Sequence, residues 1–185
     1  MNKITFKKIL QEQKNRILSY SFYFLRNWED AEDVTQEVFV KLWQYQDKID
    51  QSKVLPWMMR VAHNQCIDVF RKKKMDKSHY RVLMNDSPET AIYQSDKMVN
   101  PESYYEYSET QKLLLHALET LPEKTRSMLL LHYFQGFKYE MIGEILNTSV
   151  NTVKVAIHRG KKILKEMLEE QFPERVEKTK NECTM

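Results

Sequence analysis

Glycine, proline and cysteine are scarce in this chain: three, five and two residues out of 185. Gly and Pro are the least favourable residues inside helices, so their scarcity beside abundant Lys, Glu, Leu and Met favours helices over sheets. Two cysteines, Cys66 and Cys183, are too few and too far apart for a disulfide framework, which points to a reducing compartment. No run of about 18 apolar residues occurs, which excludes a membrane-spanning helix. The opening stretch MNKITFKKILQEQKN lacks the apolar centre of a signal peptide. A soluble, cytoplasmic protein is expected. At this length the chain holds one medium domain or two small ones.

One-sided charge is also lacking, because the net charge is only +3. The distribution says more than the total. Residues 1–74 carry 14 basic and 9 acidic side chains, residues 75–109 carry 3 and 7, and residues 110–170 carry 9 and 7. Two mildly basic blocks flank an acidic middle.

Helical periodicity is present in both blocks. Ile9, Leu10, Ile17, Leu18, Phe22 and Leu25 predict a first helix ending near Asn27. A second is predicted over 29–45, with Glu29, Asp30, Glu32 and Asp33 at its positive N-terminal end. After the polar loop QDKIDQSK, Pro56 marks the first turn of a third helix reaching about Lys74. Residues 75–108 lose the period and gain Asp, Ser, Asn and Pro, as a linker does. Helices are predicted again over 109–121 and from Pro122 to Gln135, stopped by Gly136, and a polar tail follows over 171–185. The expected fold is all-α: domains over 1–74 and 109–170, joined by a flexible acidic linker over 75–108.

Three constellations carry chemistry. In the second helix Asp30, Asp33, Gln36, Glu37 and Val40 share one face, and Ala31, Val34, Val38 and Leu42 share the other. Such an acidic face is either simply solvated or a dock for Arg and Lys on a partner helix. In the third helix Met58, Val61, Ala62, Cys66 and Val69 form an apolar arc opposite Arg60, Asn64, Asp68 and Arg71, with Lys72, Lys73 and Lys74 extending the charge. Those cations either complement the helix dipole or hold phosphates while Asn64 meets a base edge.

The third constellation is the most specific. YEMIGEILN, TSV and NTVKVAIHRGKKIL read as helix, tight turn, helix. Met141, Ile142, Ile145 and Leu146 pack the first helix; Asn147 suits a left-handed turn position, and Ser149 or Asn151 can cap the second. Val153, Ala156, Ile157, Gly160 and Ile163 or Leu164 face inward in the second helix. Lys154, Val155, His158 and Arg159 are left on the outer face, where a recognition helix meets bases; Lys161, Lys162 and Lys165 lie further along, where phosphates run. A basic surface helix without a ligand is the plainer alternative.

An enzyme needs a convergent nucleophile, base or metal set. His63, His79, His116, His132 and His158 have no ligand spacing to one another, to the cysteines or to a carboxylate pair, so no catalytic residue, metal or cofactor is expected. A stand-alone helix-turn-helix repressor remains open on the residues alone. It leaves the acidic face of the second helix unexplained.

Residues 30–44 (DAEDVTQEVFVKLWQ), 57–71 (WMMRVAHNQCIDVFR) and 121–164 resemble bacterial RNA polymerase sigma factors, and more narrowly their small extracytoplasmic-function group. The match covers the chain apart from linker and tail. The resemblance implies a region-2-like domain of three or four helices, a region-4-like helix-turn-helix domain, and the role of promoter-specificity subunit. It implies core RNA polymerase (clamp helices and flap), promoter DNA and an anti-sigma factor as partners, with no direct membrane insertion. Asp30, Asp33, Gln36 and Glu37 correspond to the core-polymerase face. Lys48, Lys53, Arg60, His63, Asn64 and Arg71 correspond to the −10 element reader. Asn151, Thr152, Lys154, Val155, His158, Arg159 and Lys162 correspond to the −35 reader. The family's linker threads towards the RNA exit path, which suits an acidic strand. Departures are His63, where the family usually has Arg or Lys, Val155 and Ala156, where Ser and Arg are frequent, and Trp57 as the only aromatic near residues 47–60.

Overall fold

A computed structural model of the chain describes residues 3–84 and 109–171; linker residues 85–108 and the tail from 172 lie outside the described residues. Every regular element among the described residues is helical. The first half contains α1 (Lys3–Leu25), α2 (Trp28–Tyr45), a 3-10 turn (Gln51–Lys53) and α3 (Val54–Met84). The second contains α4 (Glu109–Thr120), α5 (Glu123–Leu129), a π-helical turn (Leu130–Phe134), α6 (Tyr139–Leu146) and α7 (Val150–Gln171). Helix α3 continues ten residues beyond Lys74, into the stretch whose sequence reads as linker.

Local chemistry explains the boundaries. Arg26 adopts a left-handed φ of 56° and its N–H bonds the Phe22 carbonyl at 2.8 Å, closing α1. The Asn27 side chain then accepts the Asp30 N–H at 2.9 Å, capping α2, whose first turn carries Glu29 and Asp30. Asp50 caps the 3-10 turn through the Ser52 N–H at 2.9 Å, and these Ser52 bonds hold its carboxyl below the usual range. Gly136, at φ 73°, follows the π-helical turn in the left-handed region that an unbranched Cα tolerates best.

The expected apolar faces are the buried ones. Val34, Val38 and Leu42 of α2 cluster with Ile17, Tyr20 and Phe24 of α1 and Met58, Ala62 and Cys66 of α3, and Ala31 is fully buried. In the second half Leu115, Leu118, Met128, Leu129, Ile142, Ile145, Val153 and Ile157 are buried. Cys66 is a free thiol whose burial pushes its pKa up to about 12, so it behaves as core. Gly160 lets α7 cross α5 closely: a Cβ there would lie 2.7 Å from Thr125 Cγ2 and 2.8 Å from Leu129 Cδ1.

The two halves do not stand apart. Their buried residues form one cluster, and α1 and α3 lie against α5, the π-helical turn and α6. The sequence reads as two domains joined by a linker, and it does not show this direct packing. The reason is physical: beside apolar packing such as Tyr23 on Phe134, Arg16, Arg26, Arg60 and Arg126 make the polar bonds of the contact, and arginines look the same in a sequence whether they face water or another domain.

Candidate functional site

The outer face of α2 is built by a simple alternation. Its buried stripe faces α1 and α3, which turns Asp33, Gln36 and Glu37 to solvent. Asp30 is half-buried and paired with Lys73 of α3, so it is not a free member of that face. Glu37 pairs with Lys41 one turn on, at 3.5 Å. The face continues into apolar surface: Val40 is 48% and Trp43 44% exposed, and Trp43 meets the Phe6 ring edge-on at 5.0 Å. Sequence reasoning did not pick out Trp43. Its signal was the spacing, since it lies seven residues after Gln36 and three after Val40.

The polar stripe of α3 divides. Asn64 and Asp68 are exposed. Arg60 donates from Nε to the Ile145 carbonyl at 3.2 Å and from Nη2 to the Glu144 carbonyl, both at the end of α6. Arg71 faces Glu123 of α5 at 3.7 Å. His63 is not on the open stripe, because it is half-buried against the second half. Its Nδ1 lies 3.1 Å from Tyr20 Oη and 3.1 Å from Ser127 Oγ, and its ring meets Phe24 edge-on. Burial, then the charges of Arg71 and Lys124, lowers its pKa to about 4, so it is neutral near pH 7. A neutral ring facing a serine is poorly suited to hold a phosphate. Lys48 lies 6.0 Å over the Tyr45 ring, and Lys53 ends the 3-10 turn, exposed.

The helix-turn-helix forms as its residues dictate. Asn147 takes φ 49°, ψ 56°, and the Thr148 N–H bonds the Gly143 carbonyl at 2.9 Å. Ser149, rather than Asn151, caps α7 by accepting the Thr152 N–H at 3.1 Å. Val153, Ile157 and Gly160 are buried, and between the two inward candidates Leu164 is the more buried while Ile163 is exposed.

Asn151, Thr152, Lys154, Val155, His158, Arg159 and Lys162 are therefore all exposed along one side of α7. An open groove of about 480 Å³ is lined by Lys154, Val155, His158 and Arg159 together with Tyr133 and Tyr139. A second, of about 430 Å³, lies on the other side of Val155 and Arg159, against Thr125, Asn151 and Thr152. Tyr133 and Tyr139 were not singled out from the sequence, where they read as parts of preceding helices. Lys162 and Lys165 each have an acid one turn on, Glu166 and Glu169, both at 3.6 Å. The free donors thus concentrate in the N-terminal half of α7.

Comparison with known proteins agrees with this architecture. Residues 9–75 match the family model for sigma-70 region 2, and residues 111–164 match that for sigma-70 region 4. The chain is 32% identical over 167 residues to the ECF RNA polymerase sigma factor SigW of Bacillus subtilis, covering 88% of each protein. It is 28% identical to the ECF RNA polymerase sigma factor SigM of the same organism, covering 88% of this chain and 94% of that one. Among solved structures it superimposes on the sigma factor RpoE of Bartonella quintana, in complex with the anti-sigma factor NepR, with a TM-score of 0.70 and 22% identity, over 89% of this chain and 97% of that one. It also matches CnrH in complex with the cytosolic domain of CnrY, with a TM-score of 0.64 and 18% identity, over 91% and 90% of the two chains. With regions 2 and 4 in order and a full-length relative at this identity, the chain belongs to the extracytoplasmic-function group of RNA polymerase sigma factors.

Proposed function

We propose a division of labour for the promoter recognition that this family carries out on core RNA polymerase. Residues 1–74 act as the polymerase-binding and −10 unit, and residues 109–170 as the −35 unit. Asp33, Gln36 and Glu37 of α2 dock on the core enzyme, with Val40 and Trp43 adding apolar area beside them. Exposed large aromatics at an interface contribute more than their share of binding energy.

Lys48, Lys53, Arg60, Asn64 and Arg71 form the −10 surface, with the cations on phosphates and Asn64 on an unpaired base. His63 supports this surface from behind rather than touching DNA. Helix α7 enters the −35 major groove. Lys154, Val155, His158 and Arg159 meet base edges, Asn151 and Thr152 meet the backbone at the helix N-terminus, and Lys162 meets phosphate. Catalysis rests with the polymerase, and the protein acts in the cytoplasm beside it. The superimposable sigma factor RpoE, solved in complex with the anti-sigma factor NepR, supports an anti-sigma factor for this chain as well.

The observation that carries this proposal is the exposed side of α7, where donors and the Val155 methyls stand together on the second helix of a helix-turn-helix. Run-off transcription tests it, using purified core polymerase with and without the protein on a pool of genomic fragments. Discrete transcripts that require the protein are expected. No stimulation, with footprints made by the protein alone, would instead identify a stand-alone helix-turn-helix regulator.

A further inference from the structure

Where the end of α2 meets the start of α3, two aromatic rings from different helices stand together. Tyr45 is the last residue of α2 and is 46% exposed. Trp57, in the first turn of α3, is half-buried against the core, and its ring centroid lies 6.4 Å from that of Tyr45 at a tilt of 50°. The loop between them is held in place. The Lys48 N–H bonds the Tyr45 carbonyl at 2.9 Å, Asp50 caps the 3-10 turn, and Ile49 packs against the core. This closure sets the Lys48 ammonium 6.0 Å over the Tyr45 ring. That distance is the outer limit of a cation–π contact, so Lys48 gives up little in exchanging the ring for an anion. Tyr45 does not continue the polymerase face, because it lies about 200° around α2 from Trp43.

We propose that Tyr45 and Trp57 form a stacking shelf for a second unpaired base of the −10 strand, with Lys48 taking the phosphate beside it. The assignment rests on the −10 role argued above and adds a subsite to it. Trp57, Arg60 and Asn64 follow one another at i, i+3 and i+7 on one side of α3, so the shelf lies in line with the −10 surface. Seven helical residues span about 10 Å, against about 3.4 Å between stacked bases, so the shelf and Asn64 take different nucleotides. Their chemistry differs too. Asn64 reads a base edge by hydrogen bonds, whereas a ring accepts any base, because every base has a π face. A paired base inside a duplex has both faces covered by its neighbours and cannot use the shelf. The shelf therefore favours the opened strand without selecting its sequence, since a ligand shifts an equilibrium only by its preference for one state.

Binding of the holoenzyme to two DNA probes tests the shelf, on a promoter identified by run-off transcription. One probe is a duplex ending just upstream of the −10 element; the other is a fork that adds the unpaired −10 strand. The parent is expected to bind the fork more tightly than the duplex. Tyr45→Leu keeps apolar bulk and loses the ring. It is expected to weaken the fork about tenfold, as the loss of one base–aromatic stack does, and to leave the duplex probe unchanged. Tyr45→Phe, which keeps the ring, is expected to bind the fork as the parent does. Fluorescent aminopurine placed at each unpaired position in turn locates the base: one position is expected to be quenched with the parent and with Tyr45→Phe, and to brighten with Tyr45→Leu. The shelf is overturned if Tyr45→Leu holds the fork as tightly as the parent, weakens both probes equally, or brightens no position. A parent without preference for the fork overturns the −10 role and the shelf with it, whereas a parent with that preference and an indifferent Tyr45→Leu overturns the shelf alone.

Discussion

Arg126 Nη1 donates to the Phe24 carbonyl at 3.1 Å, while Nη2 of the same guanidinium donates to the Glu119 carbonyl at 2.8 Å in its own half. One side chain therefore fastens the start of the second domain and joins it to the first. Burial lowers the pKa of Arg126, with Glu119 and Glu123 opposing that effect. Arg126→Ala leaves the Phe24, Glu119 and Leu121 carbonyls short of a donor and opens a gap between the Phe24 and Phe70 rings. It is expected to lower stability by about 2–4 kcal/mol in urea denaturation. A loss under about 0.5 kcal/mol, the range of ordinary surface changes, would contradict that role.

The contact should also respond to acid. His63 is faced by Tyr20 and the Phe24 ring of α1, by Ser127 of α5, and by the charges of Arg71 and Lys124. With its pKa lowered to about 4 from an ordinary 6.5, the folded protein binds fewer protons than the unfolded one. Its contribution is complete above pH 6.5 and is lost as pH falls from there towards 4. The loss approaches about tenfold in the equilibrium constant per pH unit. Urea midpoints measured between pH 7 and 4.5 should fall more steeply for the parent than for His63→Gln; parallel curves would remove His63 from the cause.

Base and phosphate contacts on α7 should separate. Arg159→Ala is expected to weaken the cognate −35 element by about 1–3 kcal/mol and to blur its sequence preference. Lys162→Ala should weaken all promoters alike and reduce the salt slope by less than about one unit, because Glu166 at 3.6 Å already neutralises part of Lys162. Binding titrations of the holoenzyme on promoter variants at several salt concentrations decide this. Identical behaviour of the two variants would undo the assignment.

On α2 the polymerase face should be separable from stability. Asp33 is exposed, so Asp33→Arg should leave the unfolding free energy within about 1 kcal/mol of the parent while reducing core-polymerase affinity about tenfold or more. Trp43→Ala is expected to cost about 2 kcal/mol of the same affinity. Fluorescence anisotropy with labelled protein reads both, and unchanged affinity for either variant would move the docking face elsewhere.

Gly143 tests the turn. A Cβ at this position would lie 2.9 Å from the Thr148 backbone oxygen, a contact that only the backbone can relieve. Gly143→Ala is expected to destabilise the second domain by about 1–3 kcal/mol, measured by thermal melting followed by circular dichroism. A melting temperature equal to the parent's would mean that the turn is looser than described.

Much of the fold was legible from side-chain period alone. Ala31, Val34, Val38 and Leu42 are buried as their spacing requires, because a helix in water has to bury its apolar stripe. Asn147 and Ser149 take the turn and cap positions that their backbone preferences favour. The outer face of α7 follows directly, since fixing the inward residues of a helix fixes the outward ones.

Local propensity and short-range periodicity in the sequence set the helices, their apolar faces, the helix-turn-helix and the order of motifs. Only the tertiary structure decided how the halves meet. It continued α3 to Met84, turned His63 inward, gave Arg60 carbonyl partners 84 and 85 residues away, and drew Arg126 between two rings of the other half. A charged side chain carries no periodic mark of its partner. Whether an arginine meets water, DNA or a helix end is settled by which surfaces the folded chain brings within hydrogen-bonding reach.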